Sequence, residues 1–119
     1  MVIQKFTDLI VWREGHKLVL DIYKITKSLP DSEKFGLISQ IQRAVVSITC
    51  NIAEGFGRRG EKEKIQFYYI AHGSLTETEN LILVIRDTKL IKEETCSKTL
   101  LQINKTQALL NGLIRSIKN

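Results

Sequence analysis

The stretch that decides the fold is Gln40–Arg59, QIQRAVVSITCNIAEGFGRR. Within it Gln40, Arg43, Ser47, Asn51, Glu54 and Arg58 recur at spacings of 3, 4, 4, 3 and 4. At ~100° per residue all six project from one side of a helix, within roughly 60° of one another. A second stripe, Leu37, Ile41, Ala44, Ile48 and Ile52, falls about a quarter-turn away and reads as the core face. A third row, Val46, Cys50, Ala53 and Gly57, consists of small residues on another side. A helix that is apolar or small on two faces needs more cover than three neighbours in a small bundle supply. The small-residue face is therefore expected to meet another subunit.

Reading outward, the preceding segment predicts a helix from about Asp8 to Ser28, capped by Thr7 or Asp8. Leu9, Trp12, Val19, Leu20 and Tyr23 form its expected inward stripe, widened by a row of Val11, Leu18, Ile22 and Ile25. Pro30 ends that helix, and Asp31 or Ser32 caps the next, which runs to about Arg58. Gly60 suits a left-handed position at its end. A third helix follows from Glu61 to about Lys89, with an inward row of Phe67, Ala71, Ser74, Leu75, Thr78, Ile82 and Ile85. Ala71, Gly73 and Ser74 are small enough for another helix to come close. The fourth helix opens at Glu93–Thr95 and carries Cys96, Leu100, Ile103, Leu110, Ile114 and Ile117 inward. Short connections make consecutive helices antiparallel. The expected fold is all-α, an antiparallel up-down four-helix bundle, with residues 1–119 forming a single domain.

Composition sets bounds on function. The 119 residues are 43% hydrophobic and 26% charged, ordinary for a globular chain with one core. One proline and seven glycines leave little for the turns of an all-β fold. No run reaches the ~18 apolar residues of a membrane span, and the N-terminus lacks the pattern of a signal peptide. The expectation is a cytoplasmic protein with no membrane role. Cys50 and Cys96 have no metal-ligand spacing and read as small thiols within helices. The net charge of +5 permits a polyanionic partner without requiring one.

The polar stripe has two readings. In one, Arg43, Glu54 and Arg58 pair with each other or with Glu77, and Gln40, Ser47 and Asn51 bond to backbone or partner side chains, fixing register. In the other, the stripe faces a groove where Arg43 and Arg58 meet phosphate or carboxylate. Basic residues gather at the turn between the second and third helices, as Arg58, Arg59, Lys62 and Lys64. Lys17, Lys24 and Lys27 lie along the first helix. Either set could contact nucleic acid, and Glu61 and Glu63 offset half of the turn cluster. Catalysis finds thin support. His16 falls in the inward stripe, and His72 and Glu77 point to different sides of their helix. Glu-x-x-His pairs, phosphate loops and nucleophile elbows are absent. A Glu54–Glu77 pair across helices two and three could do acid/base work, but neighbouring arginines favour a salt-bridged seam. No enzyme, cofactor, metal or small-molecule substrate is expected.

Three segments carry a resemblance: FTDLIVWREGHKLVLDIYKIT, FGLISQIQRAVVSITCNIAEGFGR and FYYIAHGSLTETENLI. Over about residues 6–90 they resemble the bacterial four-helix-bundle proteins called 23S rRNA intervening-sequence proteins. Residues matching the family pattern are Gln40, Arg43, Ser47, Asn51, Glu54, Gly55, Arg58, Gly73, Ser74 and Glu77. The chain departs from it at Thr49-Cys50, where Pro-Ala is common, and at Thr78, where an apolar residue is frequent. The resemblance implies a ring, a homopentamer, with no enzymatic activity established for the family. It also implies kinship with the accessory variability determinant of diversity-generating retroelements, a basic pentamer that works with a reverse transcriptase and nucleic acid. Two functions stay open: a non-catalytic oligomer binding or scaffolding RNA or a ribonucleoprotein, and a protein-interaction module in which charge serves solubility.

Overall fold

In a computed structural model that describes residues 2–118, the chain forms four helices: α1 (Ile10–Thr26), α2 (Ser39–Gly57), α3 (Glu61–Asp87) and α4 (Glu93–Lys118). They pack as an all-α bundle measuring 43 × 25 × 21 Å, with α1 on α2 and α4, and α3 between α2 and α4. The core between them holds Leu18, Ile22, Ile41, Ile48, Ile52, Leu75, Ile82, Ile103 and Leu110, each fully buried.

The core side of α1 differs from the expected one. Val11, Leu18, Ile22 and Ile25 are buried, whereas Leu20 is 58% and Tyr23 41% exposed. Leu9, Trp12 and Val19 pack half-buried at the margin. Both rows are apolar, so periodicity alone could not rank them; contact with α2 and α4 does. On α3 the aromatic side chain that enters the core is Tyr68, at 2% exposure, rather than its neighbour Phe67. Five buried threonines, Thr26, Thr49, Thr78, Thr99 and Thr106, donate their hydroxyls to backbone carbonyls three or four residues earlier. That internal bond makes a hydroxyl tolerable in an apolar layer.

The helix ends correct several expectations. Asp8 does not cap α1: its Oδ2 accepts the N–H groups of Gln4 and Lys5 and ties off a preceding 3₁₀ turn, Phe6–Asp8. The second helix does not start at Asp31. A 3₁₀ turn (Asp31–Glu33) and a wide π-turn (Lys34–Ile38) come first, broken at Gly36 (φ −107°, ψ −108°). Gly60 is extended (φ −78°, ψ 138°) and precedes α3, so no left-handed glycine ends α2. Instead Lys64 Nζ donates to the carbonyls of Gly55 and Phe56 at 3.3 and 2.8 Å.

The left-handed residue is Lys89 (φ 61°), just past α3. Its N–H donates to the Arg86 carbonyl, and that of Leu90 to Ile85, the double bond of a Schellman end. A Cβ at positive φ is strained. Lys89→Gly is expected to stabilise the fold by about 1 kcal/mol, read as a raised urea midpoint. An unchanged or lowered midpoint would show that the lysine side chain compensates.

Candidate functional site

The polar stripe follows the solvent edge of the α2–α3 seam. Ser74 Oγ donates to Ser47 Oγ at 2.8 Å, and Asn51 Nδ2 donates to the Ser47 carbonyl and Oγ at 2.8 and 3.0 Å. One turn and more away, Gln40 Nε2 reaches Glu77 Oε2 at 3.5 Å. At the far end Arg58 pairs with Glu54 at 3.2 Å, lies 3.9 Å from Glu63, and covers the Phe67 ring. Ser47, Asn51 and Ser74 are half-buried, while Gln40, Arg43, Glu54, Arg58 and Glu77 are exposed. The stripe thus laces two helices together at their rim.

One member of the stripe stands apart from these bonds. Arg43 makes no ion pair among the described residues and faces a surface groove beside Lys34 and Phe35. Glu54 and Glu77 do not meet. With Ser47 beside Ser74 on antiparallel helices, they lie on opposite sides of that contact, roughly 15 Å apart along the axis at 1.5 Å per residue. The carboxylate pair is not assembled. His16 is exposed and stacked on Trp12 at 4.7 Å.

The small-residue face of α2 lies at the surface. A groove lined by Tyr23, Ile38, Val46 and Cys50 has Phe35 at its end, 91% exposed. A second hollow continues along α2 past Cys50, Ala53 and Gly57 to Phe6. Nothing lies within 4 Å of a Cβ built on Gly57, nor of one on Gly73, which points to solvent rather than to a neighbouring helix. The close helix approach is at Gly55, where a Cβ would meet the Tyr68 ring at 2.6 Å.

The basic residues divide by what they already hold. At the turn, Arg58 is paired and stacked, and Lys64 is folded onto carbonyls and the Phe56 ring; Arg59 and Lys62 remain free of such contacts among the described residues. On α1, Lys17 binds Glu14 at 3.0 Å, whereas Lys24 and Lys27 are exposed without an ion pair among the described residues. Glu14 is a residue that sequence reading missed. It sits in the buried α1 row between Val11 and Leu18 and also accepts from Gln102 and Lys105 of α4, at 3.1 and 3.2 Å. The Gln102 amide, then the two lysines, hold its carboxyl at about 2, well below the ordinary 4.5. An acid inside an apolar row was the available signal; its partners lie some ninety residues away.

Residues 7–112 match the 23S rRNA-intervening sequence protein family. The chain belongs to that family. A crystal structure of a protein of unknown function from the S23 ribosomal protein family of Bacteroides thetaiotaomicron has the same fold, with a TM-score of 0.82. The two share 24% identity over 88% of this chain and 98% of that one. No curated protein matches. Among the described residues no helix is long and apolar enough to cross a membrane, and no group of three or more His, Cys, Asp or Glu could hold a metal.

Proposed function

We propose that this intervening-sequence family member is a non-catalytic oligomer that binds RNA through phosphate contacts. The observation that carries the reading is where charge sits. None of the 18 lysines and arginines is buried, so every cation of a chain with net charge +5 reaches the surface. Such a surface attracts nucleic acid without reading base sequence. The family's link to rRNA intervening sequences makes RNA the first polyanion to try.

Oligomerisation is the second half of the proposal. Phe35 with its groove, and the small residues of α2, form an apolar strip that a second copy would cover. Copies joined in this way close into a symmetric ring if the contact is heterologous, and each basic surface is then repeated. That combination multiplies phosphate contacts.

Light scattering and RNA binding test both halves. Wild type is expected at a multiple of 13.6 kDa, and Phe35→Asp, at a position that supports no core, at or near one chain. An rRNA fragment and an unrelated RNA of equal length should bind with similar affinity. A wild type of single-chain mass at tens of micromolar rejects the oligomer, and no complex with either RNA at low salt rejects the binding.

A further inference from the structure

Resting on that RNA-binding reading, we infer that the phosphate track is the α1–α4 seam rather than the turn between α2 and α3. Glu14 fixes the seam's register by bonding Gln102 and Lys105 of α4. Below that clasp a groove opens between the helices, with Lys24 on one wall and Lys98 on the other. It continues past Ser28 and Thr95 to Lys92. Lys105, Lys17, Lys98, Lys24 and Lys92 therefore alternate across the seam. With antiparallel helices rising 1.5 Å per residue, successive lysines step about 5 Å along the axis and the row spans roughly 20 Å.

The chemistry of the row suits a phosphodiester backbone. All five cations are lysines, point charges on flexible stems that contact phosphate without the bidentate geometry by which arginine reads guanine. The hydroxyls of Ser28 and Thr95 lie between Lys24 and Lys92 as further donors to phosphate oxygen. Lys24 and Lys92 make no ion pair among the described residues, and Lys98 meets Glu94 only at 4.0 Å. Asp21 is the carboxylate on the groove wall. Lys17 and Lys105 are held by Glu14, as Arg58 and Lys64 are held at the turn, which leaves Lys24, Lys92 and the loosely paired Lys98 on the seam against Arg59 and Lys62 at the turn. The residues lining the seam groove are distinct from those lining the apolar strip of α2.

The test compares Lys24→Glu/Lys98→Glu with Arg59→Glu/Lys62→Glu, neither of which touches the Glu14 clasp. Anisotropy of a labelled single-stranded RNA of arbitrary sequence reads binding, with circular dichroism melts confirming the fold of each variant. The seam variant is expected to lose at least about tenfold in affinity at low salt and flatten the salt slope by about 1 to 2, while the turn variant changes less than about threefold. If wild type binds and the seam variant binds equally well, the seam is wrong and the RNA reading survives. Equal losses in both variants make the attraction diffuse and also overturn the seam. A wild type that binds no RNA overturns both. Competition by polyglutamate would not displace RNA from this track; displacement at equal charge concentration would assign the seam to acidic protein instead.

Discussion

Gly55→Ala is expected to destabilise the fold by about 2 kcal/mol, whereas Gly73→Ala, the same change on an adjacent helix, is expected to stabilise it. Both glycines lie inside helices, so both gain roughly 0.5–1 kcal/mol of backbone propensity from alanine. Only Gly55 faces a neighbour. Its new methyl would fall 2.6 and 2.9 Å from two Tyr68 ring carbons and 3.1 Å from the Phe67 Cβ. Tyr68 is 2% exposed and has no room to swing, so α3 would have to move off α2, an overpacking cost of about 3 kcal/mol. Nothing lies within 4 Å at Gly73. Urea denaturation of both variants at one protein concentration reads the difference. A Gly55→Ala midpoint at or above wild type would mean the two helices are not packed this closely.

Glu14 carries the second large effect. Glu14→Ala leaves the Gln102 amide without its carboxylate partner and two lysines without theirs, a loss of about 2–3 kcal/mol. The same residue makes stability depend on pH in a defined direction. Its folded carboxyl titrates at about 2 against an ordinary 4.5, so between those values the unfolded chain holds the extra proton. The stabilisation is complete above about pH 5 and is lost as pH falls towards 2. Because Lys17 and Lys105 are largely exposed and screened, about 2 kcal/mol is expected rather than the full linkage value. Asp8 and Asp87 also titrate low, Asp8 through the N–H groups of Gln4 and Lys5, Asp87 through Arg86. The difference between wild type and Glu14→Gln isolates Glu14: the variant's stability should fall less between pH 5 and 2. Parallel pH curves would remove Glu14 from the account.

These two residues also mark where sequence legibility stops. Helix number, order and approximate span follow from apolar periodicity and from Pro30 and the glycine-rich stretch 55–60, so the bundle was readable from the chain. The i,i+3/i+4 polar stripe was equally readable, because its members share one helix. What local spacing cannot give is which of two apolar rows on α1 faces inward, since that depends on where α2 and α4 stand. The same limit hid Tyr68 behind Phe67, Gly55 behind Gly73, and the partnership of Glu14 with Gln102 and Lys105. The Gly36 break, too, is a tertiary choice: the segment from Asp31 has helix-start chemistry, yet it turns through π geometry and leaves Phe35 in solvent. The basic residues were visible as a list, and only the fold separates those already engaged from those left to bind.

The salt dependence of RNA binding by the wild-type protein tests phosphate recognition most directly. A log–log plot of affinity for single-stranded RNA against salt should fall with a slope of about −2 or steeper, as contacts from the three seam lysines not bound to Glu14 require. A slope indistinguishable from zero, or no binding at the lowest salt, would contradict the account.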